Sequence, residues 1–128
     1  FITPLTLSLI KINFEGPYKV YNFIDNQKEI GNVKVALKKG WNQLHIEVEP
    51  EFQQKGYSVK MIKSVIDDLS YCVIPYGRIT NENIHKVVKK VAQDNKYSAV
   101  TKEIFGTKEY LLFDKSKISE EEIDKLIY

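Results

Sequence analysis

Short stretches in the first half of the chain alternate between apolar and polar residues, which is the period of a β-strand. One such stretch covers 5–11, and a second, 18–24, follows the turn residues Glu15-Gly16-Pro17. After a turn at Asp25-Asn26, a third covers 29–37. The pattern predicts three consecutive strands joined by turns.

A fourth stretch, 44–48, has the clearest alternation and leads into a helix. Its apolar side carries Leu44, Ile46 and Val48. Its polar side carries His45, Glu47 and Glu49. Pro50 ends this strand because proline has no amide hydrogen for a neighbouring strand. Beyond Gly56 the period becomes helical, with an apolar stripe formed by Val59, Ile62, Val65, Ile66 and Leu69. The chain thus passes from a half-buried strand through a short turn into an amphipathic helix.

The second half begins with a short apolar strand at 71–75 and a helix over about 81–93. The predicted solvent face of this helix carries Lys86, Lys89 and Lys90. A hairpin follows, with strands at 98–104 and 109–113 joined by residues 105–108. Ser119 and Glu122 then have the spacing of a capping box, which predicts a short helix over 119–127.

Length and composition predict one compact domain over 1–128. The chain has 128 residues, of which 43% are apolar and 28% charged, and it contains no repeat or linker. A core of this size needs neither disulfides nor a structural metal. The single cysteine, Cys72, lies in an apolar run, so we interpret it as a buried inert thiol, with a nucleophile as the alternative.

Charge and hydropathy restrict the classes of partner. Nineteen basic and seventeen acidic residues leave a net charge of +2, far from the charge typical of a nucleic-acid-binding domain. A nucleic-acid module using Lys86, Lys89, Lys90 and Lys96 is therefore the weakest alternative. The apolar start is interrupted by Pro4 and lacks a basic leader, and no stretch approaches a membrane span. We expect a cytoplasmic protein without a nucleic-acid or membrane partner.

The turn 53–58 is the most informative feature, because it joins the fourth strand to the first helix. A helix that begins after a glycine presents several free backbone amides, and the helix dipole adds partial positive charge at the same end. Gly56 lets a phosphate approach the backbone closely, and Ser58 is small. The turn is thus a candidate anion site, although glycine before a helix also occurs simply as a turn.

The same residues resemble a signature of the GNAT family of N-acetyltransferases. Gln53-x-x-Gly56-x-Ser58 is similar to its coenzyme-A motif, Arg/Gln-x-x-Gly-x-Gly/Ala, and Val48-x-Pro50-Glu51 to the residues that precede it. Thr80-Asn81-Glu82-Asn83 resembles a later segment in which an asparagine meets the cofactor. The order of elements over 18–113 is also similar, so the resemblance covers about three quarters of the chain. Ser58, in place of glycine or alanine, is a departure that should weaken binding only modestly.

The resemblance implies an α/β (α+β) fold in which helices flank a mixed, mostly antiparallel sheet of about seven strands. In that family the fourth and fifth strands splay apart, and the pantetheine arm of acetyl-coenzyme A (acetyl-CoA) pairs with the fourth. A primary amine then attacks the thioester directly in a ternary complex. The residues implied in cofactor binding are Ile46, Val48, Gln53, Gln54, Lys55, Gly56, Tyr57, Ser58, Asn81 and Asn83.

The catalytic candidates lie on the fourth strand, beside the expected thioester. Glu47, Glu49 and His45 could each accept the proton of the attacking amine, although such residues are also typical of a solvated strand face. The family's usual base position falls near Asn42 or Gln43, neither of which takes up a proton. Its acid tyrosine falls on Ala92 or Val88, so an acid would have to come from Tyr57, Tyr76 or Tyr97.

The family normally inserts helices between its first two strands, and here those helices are short or missing. An open acceptor side suits a flexible peptide or protein amine, a site completed by a second copy in a homodimer, or a chain that lacks its upstream part. The leading hypothesis is an N-acetyltransferase acting on an amine. The alternative is a catalytically degenerate GNAT-fold protein that binds acyl-CoA or a protein partner without turnover.

Overall fold

A computed structural model describes residues 9–76 and 82–128. Seven strands form one sheet: β1 (Leu9–Glu15), β2 (Tyr18–Asp25), β3 (Lys28–Ala36), β4 (Gln43–Val48), β5 (Tyr71–Pro75), β6 (Tyr97–Ile104) and β7 (Thr107–Asp114). The helices are α1 (Tyr57–Leu69), α2 (Glu82–Gln93) and α3 (Glu120–Ile127), and short 3₁₀ turns cover Lys38–Gly40 and Pro50–Phe52. The predicted order of elements is confirmed.

The sheet is mixed and mostly antiparallel, with the strand order β1-β2-β3-β4-β5-β7-β6. The β4 and β5 strands are its parallel pair, and Gln43 and Val73 are the only Cα partners in their register. Beyond this point the two strands diverge. This arrangement confirms the expected fold class, including the splayed fourth and fifth strands.

The helices lie on both faces of the sheet. On one face, α1 and α2 cover a core that includes Phe23, Val33, Met61, Ile62, Ile66, Cys72, Val91 and Leu112. On the other, α3 buries Ile123 and Ile127 against β5, β6 and β7. Alternation along β5 separates the two cores, because Cys72 and Ile74 face α1 while Tyr71 and Val73 face α3.

Polar bonds hold α1 to its neighbours. Lys19 on β2 forms an ion pair with Asp68 near the end of α1 at 2.6 Å, and the Tyr21 hydroxyl donates to the same carboxylate. At the start of α1, the Tyr57 hydroxyl donates to Asp25 at 3.2 Å. These bonds join both ends of the helix to β2, so the start of α1 has a fixed place relative to the sheet.

Three local details refine the predicted elements. The described part of the first strand begins at Leu9, because 5–8 lie outside the described residues, and it continues to Glu15. Only Gly16 and Pro17 separate it from β2, with no helix between them. The β6–β7 connection contains two residues, Phe105 and Gly106, instead of the expected four. Both have positive φ, as a type I′ hairpin turn requires.

The C-terminal helix begins as its sequence pattern predicts. The Ser119 side chain accepts from the Glu122 amide at 3.2 Å, and the Glu122 carboxylate accepts from the Ser119 amide at the same distance. This reciprocal pair is a capping box.

Candidate functional site

A cleft of about 660 Å³ opens where β4 leaves β5 and passes into α1. Its walls come from the second half of β4, the turn before α1, the first turn of α1, and α2. The lining residues drawn from β4 and the turn include Ile46, Glu47, Val48, Glu49, Gln53, Gln54, Gly56 and Ser58. The cleft therefore brings together most of the residues that the sequence predicts for a cofactor site.

The backbone before α1 has the shape expected of an anion site. Gly56 is the N-cap of the helix and has φ of 87°, in the left-handed region that glycine adopts without steric strain. Within the described part of the chain, no side chain caps the first amides of α1. The Gln53 side chain donates to the Val48 carbonyl at 3.0 Å, which holds the turn against the end of β4. Free amides and the positive end of the helix dipole thus face the cleft.

The divergence of β4 and β5 leaves one edge of β4 without a strand partner. Val73 donates its amide to the Asn42 carbonyl at 2.9 Å, at the closed end of the splay. On its other side β4 pairs with β3 from Gln43 to Val48. The edge that faces the splay can accept an extended ligand, which would hydrogen-bond to β4 as another strand does.

Two of the catalytic candidates, His45 and Glu47, lie on the polar side of β4, and Glu49 follows the last residue of the strand. Glu47 and Glu49 line the cleft, whereas His45 does not. The His45 Nε2 atom lies 3.3 Å from Glu47 Oε1, and the two side chains are 71% and 64% exposed. An accessible carboxylate next to an imidazole can accept a proton from an amine that approaches this side of the sheet.

Asn42, one of the two residues at which the resemblance places the family's usual base, has a structural contact. Asn42 is buried, and its side-chain amide donates to the Tyr71 carbonyl at 3.2 Å, across from β4 to β5. This bond closes the narrow end of the splay. An amide in this place stabilises the strand pair and takes up no proton.

Two of the three tyrosines considered as an acid have hydroxyl partners elsewhere. Tyr57 donates to Asp25, and Tyr97 donates to Asp67 at 2.7 Å. Burial and the bond to Asp67 raise the pKa of Tyr97 to about 12. The third, Tyr76, packs against the rings of His85 and Tyr110 at 5.1 and 5.0 Å. The Tyr76 hydroxyl also has a partner, because it shares a side-chain hydrogen bond with Tyr110.

Several predicted residues contribute in other ways or lie outside the description. The Tyr57 side chain is buried, so only the backbone amide of this residue is left for contact with a ligand. Lys55 lies outside the cleft lining, with its Nζ atom 6.0 Å from the centre of the Phe52 ring. Asn81 lies outside the described residues, as does the side chain of Asn83. Cys72 is fully buried, and burial raises the pKa of its thiol, which makes it an unreactive core residue.

Four residues of α2 line the cleft although the motif does not predict them. Ile84, Lys86, Val87 and Lys90 form the wall opposite the turn. Lys86 and Lys90 were expected on a face open to bulk solvent. Their spacing of four places both on one side of the helix, but the spacing does not tell whether that side meets a cleft or bulk water.

Two other kinds of site find no support in the described residues. Residues 9–76 and 82–128 contain no group of three or more His, Cys, Asp and Glu side chains that could hold a metal ion. None of the helices in these same ranges has the length and apolar character needed to cross a bilayer.

A seven-stranded sheet that splits between β4 and β5, with a helix starting at the split, is the GNAT fold. Three solved acetyltransferases share it. The ribosomal-protein-S18-alanine N-acetyltransferase from Escherichia coli is 14% identical with a TM-score of 0.56, over 84% of this chain and 75% of that one. The spermidine N-acetyltransferase from Vibrio cholerae, in complex with CoA and spermine, is 16% identical with a TM-score of 0.53, over 79% and 68%.

The third is an acetyltransferase from Bacillus subtilis in complex with CoA, which is 12% identical with a TM-score of 0.52, over 77% of this chain and 78% of that one. No family model and no curated protein sequence matches the chain. The fold that the motif led us to expect is therefore confirmed. Sequence identities this low establish the fold alone.

Proposed function

We propose that this protein is an N-acetyltransferase that moves an acetyl group from acetyl-CoA to a primary amine. One observation carries the proposal: the uncapped start of α1 at Gly56 and the open edge of β4 border the same cleft. The first can bind a diphosphate and the second an extended amide chain, the two features that a CoA thioester combines. The names of the three structural neighbours, all acetyltransferases, favour the same activity.

Under this proposal the residues act mainly by positioning. The backbone amides of 54–58 bind the diphosphate, and β4 orients the pantetheine arm through Ile46 and Val48. Glu47 accepts a proton from the amine, directly or through a water molecule, with Glu49 as the next candidate and His45 beside it. A thiol has a reference pKa of about 8.5, so its thiolate is a tolerable leaving group near neutral pH even without an acid.

The acceptor is an amine on a small molecule or on a peptide, and it reaches the site from the polar side of β4. No helix lies between β1 and β2, and Ile12 and Phe14 on the edge strand β1 are 48% and 67% exposed. We propose that a second copy covers this edge in a homodimer. Sedimentation showing only monomer at high protein concentration would exclude the homodimer while leaving the acetyl transfer untouched.

A second candidate function keeps the fold and the cofactor without turnover. The residues at the usual base position, Asn42 or Gln43, favour it, because a side-chain amide does not take up a proton, and Asn42 is buried and hydrogen-bonded to Tyr71. In that case the chain binds an acyl-CoA or a protein partner, and the exposed His45 and Glu47 are an ordinary solvated face.

Two measurements on the wild-type protein separate these functions. Calorimetry with CoA reports binding, and a thiol-detecting dye reports release of free CoA from acetyl-CoA in the presence of a panel of primary amines. Binding with amine-dependent release supports the transferase. Binding without release for any amine favours the second function. Absence of CoA binding contradicts both.

A further inference from the structure

Lys86 and Lys90 form a pair of positive charges on the α2 wall of the cleft. They are four residues apart, so they lie one helical turn from each other, with Ile84 and Val87 beside them. The turn at Gly56 borders the same cleft. Both ammonium groups can therefore reach a ligand whose diphosphate lies on that turn.

Neither lysine forms an ion pair with any residue whose side chain the structure describes, which covers 10–76 and 84–128. In contrast, Lys19, Lys63, Lys96 and Lys102 each pair with an aspartate or glutamate between 2.6 and 3.1 Å. The acidic residues that share the cleft, Glu47 and Glu49, form an ion pair with neither lysine. Among the described side chains, none neutralises the charge of Lys86 or Lys90.

The chemistry of CoA supplies an anion for this pair. Besides its diphosphate, CoA carries a phosphomonoester on the 3′ position of its ribose, and a phosphomonoester has a charge of about −1.5 to −2 at pH 7. The free amides at the start of α1 are few, and under the proposed function the diphosphate occupies them. The separate 3′-phosphate needs cations from another element, and lysine binds phosphate as a point charge from a flexible stem.

We propose that Lys86 and Lys90 bind the 3′-phosphate of the CoA nucleotide and make the site specific for CoA over nucleotides that lack this group. The inference rests on the proposed function, in which the protein uses acetyl-CoA. It adds the residues that recognise the nucleotide part of CoA. The two lysines contact no reacting atom; they determine specificity.

Calorimetry with two ligands tests this assignment. CoA and 3′-dephospho-CoA differ only in the phosphate concerned, and each is titrated into the wild type, the Lys86→Ala/Lys90→Ala double variant and the Lys89→Ala variant. Lys89 is a matched control, because it is exposed on the same helix but lies outside the cleft lining. Circular dichroism shows whether each variant remains folded.

We expect the wild type and Lys89→Ala to bind CoA about tenfold more tightly than 3′-dephospho-CoA, a ratio typical of two partly exposed charge pairs. In the double variant the two ligands should bind alike, with the affinity for 3′-dephospho-CoA nearly unchanged. Raising the salt concentration should reduce the wild-type ratio as well.

Three results would overturn the inference. Equal affinity of the wild type for both ligands would show that the 3′-phosphate is not recognised. An equal loss for both ligands in the double variant would place the lysines at the diphosphate, and an unchanged ratio would remove them from the nucleotide site. Failure of the wild type to bind either ligand would instead contradict the proposed function on which the inference depends.

Discussion

At the scale of single residues, the proposed function depends on the backbone conformation of Gly56 and on the carboxylate of Glu47. Gly56 has φ of 87°, where a residue with a Cβ atom is strained, and it lines the cleft, where a charged side chain would meet a bound phosphate. Glu47 is the candidate base that both lines the cleft and contacts His45.

Replacement of Gly56 by glutamate should abolish CoA binding. We expect a loss of about a hundredfold or more, because a carboxylate would repel the diphosphate at the amides that bind it. Gly106→Glu is the matched control, since Gly106 also has positive φ, at 79°, with open space around it in the β6–β7 turn. Both variants should lose about 1–2 kcal/mol of stability through backbone strain. Calorimetry giving equal CoA affinity in the two variants would exclude the turn as the site.

Replacement of Glu47 by glutamine should lower the rate of acetyl transfer at neutral pH by about a hundredfold, the lower end for general base catalysis. Affinity for CoA should stay within about twofold, because the neutral amide keeps the shape of the side chain. Glu51→Gln is the control, because Glu51 is exposed and lies outside the cleft lining. If Glu47→Gln and Glu51→Gln have the same rate in the dye assay, Glu47 is not the base.

At the scale of elements, periodicity and turn chemistry predict most of the structure. The switch from strand to helical period at Gly56 gives the start of α1, and the capping box at Ser119 gives the start of α3. The predicted four-residue connection between β6 and β7 is wrong, because the turn contains two residues. Phe105 adopts φ of 50° in this turn, which is unusual for an aromatic residue. There its ring stacks on Trp41 at 5.3 Å, a tertiary contact that local sequence does not show.

Only part of the candidate site could be predicted, because local sequence does not show tertiary contacts. Residues close in sequence, from Ile46 to Ser58, follow one strand into one turn, so a short motif finds them together. Lys86 and Lys90 come from a helix that meets the turn only through packing of α2 beside α1. A helix pattern distinguishes apolar from polar faces but does not show which part of a polar face borders a cleft.

The start of α3 offers a direct test of capping. Ser119→Ala should lower the free energy of unfolding by about 1 kcal/mol, because it removes the side-chain oxygen that accepts from the Glu122 amide. Ser119→Asp should restore most of the loss, since aspartate caps helices equally well. Urea denaturation measures both variants. If Ser119→Ala is as stable as the wild type, packing of Ile123 and Ile127 holds the helix without the cap.

At the scale of the whole molecule, α1 acts as the element that connects the cleft to the rest of the fold. Its apolar side packs on the sheet, and residues of β2 and of the turn between α2 and β6 contact its polar residues. Lys63 pairs with Asp94 beyond α2 at 3.1 Å, and Lys96, before β6, pairs with Asp67 at 2.9 Å. Together with the Lys19–Asp68 pair on β2, these bonds fix the direction in which the start of α1 points.

This network predicts a pH dependence of stability. Hydrogen bonds from Lys19 and then from Tyr21 hold the pKa of Asp68 below its ordinary value. Since the folded pKa is the lower one, the unfolded chain binds more protons, and stability rises with pH. The contribution is fully present above the unfolded pKa of about 3.9 and is lost as the pH falls through the folded pKa.

Asp68→Asn should therefore be less stable than the wild type at pH 7, and the difference should shrink on acidification below about pH 4. Urea midpoints between pH 7 and pH 2.5 measure this difference. Glu29→Gln serves as a control, because Glu29 is an exposed carboxylate at the start of β3. A difference that stays constant over the whole pH range would show that Asp68 acts through packing and not through its charge.

The proposed function requires that backbone amides between Gln53 and Ser58 bind the diphosphate of CoA. Amide resonances of the labelled protein, followed by NMR during titration with CoA, test it most directly. We expect the largest chemical-shift changes at Gly56, Tyr57 and Ser58. These changes should saturate at CoA concentrations that agree with the affinity measured by calorimetry. Shifts confined to other parts of the chain, with these three amides unmoved at saturation, would contradict the account.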